Sequence, residues 1–232
     1  MTHGCTISSI DRLSPHVHPG VWVVLDLDNT VMEAAQMLGS DQWFGYITRR
    51  HPDKFGCYWN AVQNATRMQL VEPRMRGFVD DLNRNAGVRV LALTARRKND
   101  LEAATVRQLD ALGIRFDEIL YSNGVESKGS ILSRRLRRES TLPSSVLFVD
   151  DKPHNVASVE SALQLDGVRH KAFVYDAARA KVDAFDARIA DEQLSCFLWT
   201  GHILSDSRAK LLRRGKRAVF WISCVAIVIA RR

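Results

Sequence analysis

A doubly wound α/β fold built on a parallel sheet is predicted by three observations. Short apolar runs recur at Val21–Leu25, Val88–Leu93 and Val146–Val149, and each ends in polar residues. The runs are apolar at nearly every position, as strands buried on both faces must be. Segments of helical period separate them, and strand–helix alternation implies crossover connections within one parallel sheet.

The elements follow in chain order. Residues 1–20 read as an N-terminal extension. His3, Asp11, Arg12 and His16 interrupt it, and it holds no apolar core of a secretory signal. Val21–Leu25 is the first strand and runs into Asp26-Leu27-Asp28-Asn29-Thr30. About 40 residues then separate it from the next helix, where a strand-to-helix loop usually takes about 2–6. This stretch, 31–71, carries Trp43, Phe44, Tyr46, Phe55, Tyr58 and Trp59, and reads as a helical insertion. It leaves the C-terminal end of the first strand, the end at which α/β sheets gather their sites. Pro73 opens a helix whose inner face holds Met75, Val79 and Leu82, and Gly87 follows its end. After the second strand come Thr94-Ala95-Arg96-Arg97, and Asn99 or Asp100 caps a helix that Gly113 closes. Glu118–Tyr121 and Lys171–Tyr175 are further strands. Ser127-Lys128-Gly129 fits a helix start, and Val146–Val149 runs into Asp150-Asp151.

The net charge of +7 suggests a nucleic-acid or anionic partner until it is located. Ser205–Arg232 holds eight basic side chains and one acid, which accounts for all of it. The rest of the chain is neutral. The run Arg134-Arg135-Leu136-Arg137-Arg138 reads as the solvated side of a helix whose inner face is Ile131, Leu132 and Leu136, and no aromatic platform for single strands accompanies it. Nucleic acid is therefore disfavoured. Four scattered cysteines form neither a C-x-x-C pair nor a disulfide framework, so a cytoplasmic location is the default expectation.

The chemistry is concentrated at the strand ends. Asp26 and Asp28 leave one strand and Asp150-Asp151 leave another, so three or four carboxylates can face one crevice. Such a cluster repels itself unless a hard cation joins it, and Mg²⁺ suits carboxylates, a carbonyl, water and a phosphate oxygen. Thr94 offers a hydroxyl and an amide to that phosphate, and Lys128 a point charge. Each residue also has a plainer use. Asp26, Asp28 and Thr94 can cap helices, and Asp151 and Asn155 can brace a loop. Trp43, Phe44, Tyr58 and Trp59 can form the insertion's own core.

Taken together, these residues resemble the haloacid dehalogenase (HAD) superfamily, whose four motifs occur in order: D-x-D-x-T at Asp26–Thr30, Thr94, Lys128, and the pair Asp150-Asp151. The resemblance spans about Val21 to Tyr175. It implies a Rossmannoid sheet with a small helical cap of the first type in the insertion, and a Mg²⁺-dependent phosphatase. It makes Asp26 the nucleophile that becomes an aspartyl phosphate, and Asp28 the acid/base that protonates the leaving oxygen and then deprotonates water. Thr94 and Lys128 would hold the phosphoryl oxygens. Mg²⁺ would lie on Asp26, the Asp28 carbonyl and Asp150, with Asp151 assisting.

The blocks Leu38–Phe44, Asp151–Val156, Phe185–Ala190 with Gln193-Leu194, and Ile203–Asp206 are similar to one bacterial branch of HAD hydrolases often labelled only as a domain of unknown function. That similarity reaches about Ala209, implies an exported or cytoplasmic phosphatase, and gives a HAD-like domain at 21–209 with a tail at 210–232. Asp41, Gln42 and Trp43 are candidates for contact with the leaving group. The expected substrate is a phosphorylated small molecule or phosphorylated side chain.

Two alternatives belong to other classes: a catalytically silent phosphoprotein-binding module, and a membrane-surface adaptor acting through residues 208–232. In the tail, Ala218–Ala230 is free of charge and flanked by basic pairs. As a helix it reaches about 20 Å, short of a bilayer core of about 30 Å. It fits an in-plane anchor on anionic lipid, a segment packed on a partner, a strained span, or an extension without function.

Overall fold

The computed structural model describes residues 5–53 and 55–213. In chain order the elements are β1 (Cys5–Ile7), a 3-10 helix (Ile10–His16), β2 (Val21–Leu25), β3 (Met32–Ala34), α1 (Asp41–Arg50), α2 (Phe55–Ala65), β4 (Met68–Leu70), α3 (Arg74–Arg84), β5 (Arg89–Thr94), α4 (Lys98–Leu112), β6 (Glu118–Tyr121), α5 (Lys128–Leu136), β7 (Ser145–Asp150), α6 (Pro153–Leu165), β8 (His170–Tyr175), α7 (Arg179–Asp183), α8 (Ala187–Thr200) and α9 (Asp206–Arg213). They form two compact units. One runs to Glu33 and resumes from Met68 to Lys181; the other combines Ala34–Arg67 with the chain from Val182.

The first unit is the predicted α/β sheet, six strands in the order β1-β8-β7-β2-β5-β6 and parallel throughout. The order makes β2 central. From it the chain builds outward through β5 and β6 on one side, then through β7 and β8 on the other. The C-terminal end of β2 is thus a topological switch point, where connections diverge and leave a crevice. On one face, Trp22, Val24, Leu91, Val146 and Phe148 pack against Ile131, Leu132 and Leu136 of α5 and Val156, Val159 and Leu163 of α6. β3 and β4 form a separate two-stranded sheet.

Several expectations need correction. Residues 5–16 are no loose extension, because β1 pairs with β8 (Cys5 opposite Phe173) and Ile10 and Leu13 are fully buried. The cue was weak: three strand residues followed by a polar, Pro-containing helix. Neither Asn99 nor Asp100 caps α4. The helix starts at Lys98, and its first amide is met from a distance by Asn123 Oδ1 at 2.8 Å. Pro73 precedes α3 by one residue instead of opening it, whereas Gly113 closes α4 with φ 68° as expected.

The largest difference concerns the insertion. Residues 31–71 do not make a unit of their own, because the second unit needs the chain from Val182 as well. Leu38, Trp43, Ile47 and Val62 share one core with Ala190 and Leu194, flanked by Trp59, Phe185, Phe197 and Ile203. A buried amide joins the segments: Gln193 accepts from Leu38 N (2.9 Å) and donates to Leu204 O (2.8 Å) and Asp206 Oδ1 (2.7 Å). The blocks around Leu38, Gln193 and Asp206, far apart in sequence, thus act as one structural set. Helix α9 runs through residue 209 to Arg213, past the boundary drawn there from sequence. The rest of the tail, including Ala218–Ala230, lies outside the described residues.

Candidate active site

The ends of β2, β5 and β7 carry the candidate residues, and parallel register brings them level. Leu25 stands opposite Val149, so Asp26 comes opposite Asp150, and the Asp26 amide donates to Val149 O at 2.9 Å. Beyond Asp26 the chain turns sharply. The amides of Thr30, Val31 and Met32 converge on Leu27 O, and Asn29 sits at φ 63°, a left-handed conformation that asparagine tolerates better than most residues. This turn aims Thr30 Oγ1 at Asp26 Oδ2 (3.3 Å) and Asn29 Nδ2 at Asp151 Oδ2 (3.3 Å).

Lys128 arrives from α5. Ser127 caps the helix by accepting from Ser130 N at 3.1 Å, which leaves Lys128 in the first turn, nearly buried. Its ammonium donates to Asp26 Oδ1 and, at 2.6 Å, to Asp150 Oδ2. The neighbouring Gly129 explains how α5 can stand there: a Cβ at that position would lie 2.2 Å from Ser158 O of α6. Only glycine allows this approach. Asp150 is held in turn by Lys152 N (2.8 Å) and by Asn155 Nδ2, 3.0 and 3.1 Å from its two oxygens.

Asp26, Asp150 and Asp151 each offer one oxygen, all within 4.8 Å of one another. Three carboxyl groups thus converge beside the Lys128 ammonium. Burial, with Asp150 and Asp151 adding to it, pushes the Asp26 carboxyl well above its ordinary range despite Lys128. Burial alone would lower Lys128, but Asp26 and Asp150 hold it charged and raise it. A divalent cation fits this set in both charge and donor type, since hard oxygen ligands suit Mg²⁺.

The side chain of Asp28 is outside that cluster and pairs with Arg96, whose Nε and Nη2 each donate to one carboxylate oxygen at 2.8 Å. Burial pushes the Asp28 carboxyl up, yet the charge and hydrogen bonds of Arg96 outweigh it and leave the carboxyl below its usual range. Arg96 was not singled out from sequence. The only available signal was its position two residues after Thr94 at a strand end. Thr94 is buried at the end of β5 and its Oγ1 accepts from Arg96 N at 3.2 Å.

The remaining candidates belong to the second unit. Trp43 is fully buried and stacks on Trp59 with centroids 5.8 Å apart, within the core of this unit. Asp41 and Gln42 are half-buried in the first turn of α1.

The family model described as "Protein of unknown function (DUF2608)" matches residues 6–124 and 117–210. A provisionally named outer membrane protein of Chlamydia trachomatis is 21% identical over 242 residues, 91% of this chain and 90% of that protein. Its counterpart in Chlamydia muridarum is 20% identical over 238 residues, 90% and 89%. Among solved structures, the HAD domain of the Legionella pneumophila effector Lem4 aligns with TM-score 0.45 and 14% identity, covering 74% of this chain and 95% of that one. A HAD-superfamily hydrolase from Geobacter sulfurreducens aligns with TM-score 0.43 and 15% identity, covering 69% and 98%.

Proposed function

We propose that this chain, which belongs to the DUF2608 family, is a Mg²⁺-dependent phosphomonoester hydrolase working through an aspartyl phosphate on Asp26. One observation carries the reading: a carboxylate at the tip of the central strand, with a buried ammonium and a second carboxylate in hydrogen-bond contact beside it. Three HAD-like motifs at neighbouring strand ends, with Lys128 at the start of α5, support it.

Asp26 is the only member of the set that projects from the central strand and is touched by both Lys128 and Thr30, so it is the nucleophile. Its carboxylate forms the bond to phosphorus as the bond to the leaving oxygen breaks. Water then cleaves the acyl phosphate and returns Asp26. Lys128 and Thr94 hold the phosphoryl oxygens as charge develops on them. Asp28 is the proton-transfer group. Mg²⁺ bound by Asp26, Asp150, Asp151 and the Asp28 carbonyl would neutralise the cluster and polarise the phosphoryl group. Asn155 and Lys152 N keep Asp150 turned toward that position.

The substrate is a phosphorylated small molecule or side chain. Release of phosphate from 4-nitrophenyl phosphate with and without chelator, beside Asp26→Asn, tests the reading. Turnover that needs Mg²⁺ and disappears in the variant is expected, and turnover indifferent to either contradicts it. For location, the names of the chlamydial relatives favour export over a cytoplasmic default. Fractionation of cells expressing the tagged chain decides between them, with recovery only from the cytosol contradicting export.

A further inference from the structure

We infer that the open edge of β6 and the basic flank of α5 form a docking groove for an acidic protein segment, which binds there in extended form as a seventh strand of the sheet. Binding of this kind needs no turnover and stands whether or not the chain hydrolyses phosphate.

The edge comes from the sheet order, in which β6 stands last and pairs only with β5 among the described residues. Across that pair Asp117 N donates to Val90 O at 2.8 Å. A strand turns successive residues to opposite sides, so the N–H and C=O of Glu118 and Leu120 face the open edge. A groove of about 260 Å³ lies along it, with the whole of β6 as one wall and Ile131, Arg134, Arg135 and Arg138 as the other. Leu120 and Ile131 share one apolar core, which fixes the strand beside the helix. The four residues of β6 span about 13 Å at about 3.3 Å each, enough for a strand of similar length to lie against them.

Charge selects the occupant. Lys98, Arg134, Arg135 and Arg138 line the groove against one acid, Glu118. Arg135 is committed to Glu118 at 2.8 Å and to Glu139 at 2.5 Å. Arg134 pairs with Glu126 where the two side chains are 52% and 44% exposed, so that pair is weak and open to exchange. Arg138 is exposed and makes no ion pair among the described residues. Two guanidinium groups can therefore turn to carboxylates of a partner, while Glu118 and Leu120 exchange backbone hydrogen bonds with it. A second copy paired edge to edge would set two such basic walls side by side, and they would repel. Nucleic acid would meet the arginines but leave the strand edge unused.

The probe is a fluorescein-labelled octapeptide of alternating valine and glutamate, titrated with the full chain and followed by fluorescence anisotropy. Saturable binding is expected, with the matching valine–lysine peptide unbound. Arg134→Glu together with Arg138→Glu should weaken the acidic peptide by at least about 10-fold. Both positions are exposed, and circular dichroism checks that the fold is kept. Proline in place of each valine keeps the peptide's charge but removes amide donors, and should abolish binding to the unaltered protein. Hydrogen exchange should slow at the Glu118 and Leu120 amides when the acidic peptide binds. Absence of binding overturns the inference. Equal binding of the lysine or proline peptide, or protection along β1 in place of β6, overturns it as well. An oligothymidylate that binds through the same arginines while the peptide does not would assign the groove to nucleic acid instead.

Discussion

Asp26 is the residue where function and stability pull apart. Its carboxyl is buried among Asp150 and Asp151 and raised above its ordinary range. A carboxyl with a raised folded-state pKa destabilises the fold at neutral pH, and the penalty fades as pH falls from that value to the unfolded one. In chelator, Asp26→Asn should therefore raise Tm at neutral pH, by several degrees if the repulsion is worth about 1 kcal/mol. Mg²⁺ should stabilise the wild type more than the variant, and thermal unfolding in the four combinations checks both outcomes. Asp28 behaves in the opposite sense. Its carboxyl is held low by Arg96, so its stabilisation is present above the unfolded value, near 3.9, and fades as pH falls through the still lower folded value. Asp28→Ala strands the buried Arg96 and should cost about 3 kcal/mol, much of it regained in Asp28→Ala/Arg96→Met. Urea unfolding of both variants measures this, and an additive result would contradict the pairing.

At the scale of elements, Gly129 sets how close α5 comes to α6, and α5 carries Lys128. Gly129→Ala forces a Cβ toward Ser158 O, with an expected cost of about 1–3 kcal/mol and a marked loss of phosphatase activity as Lys128 moves off Asp26 and Asp150. Circular dichroism with an activity assay would show whether the two losses coincide. Strands β2, β5, β6, β7 and β8 were legible within a residue or two, because buried parallel strands are apolar at almost every position. Asp26, Thr94 and Asp150 stand out because strand ends punctuate such runs with polar residues, whereas Lys128 stands at the start of α5. Three features were not legible. β1 is three residues long and takes its stability from β8 rather than from any pattern of its own. The α4 cap comes from Asn123, which no local reading reaches. The ion pair between Asp28 and Arg96 joins residues 68 apart, and its existence depends on the register of β5 beside β2.

At the scale of the molecule, the second unit draws its core from both ends of the chain's interruption, through Trp43 and Ile47 on one side and Ala190 and Leu194 on the other. Hydrophobic patterning marked each helix but could not say which helices meet. Gln193→Leu breaks the amide that joins Leu38, Leu204 and Asp206, and should cost about 1–3 kcal/mol by leaving buried partners unmet. The charge excess belongs to a different part of the chain. Among the described residues no helix is long and apolar enough to cross a membrane. The +7 resides in Ser205–Arg232, mostly past α9. Truncation after Arg213 should leave kcat/KM unchanged and abolish sedimentation with anionic liposomes, if residues 208–232 are what binds an anionic surface. Sedimentation that survives truncation would move that role elsewhere.

The central claim is the covalent role of Asp26, and trapping addresses it most directly. The protein is quenched in acid during turnover of phenyl phosphate with Mg²⁺, digested, and its peptides are examined by mass spectrometry for an acyl phosphate. The phosphoryl group should be found on Asp26 and be absent when chelator is present from the start of the incubation. Sustained turnover with no adduct, or an adduct on another residue, would contradict the account.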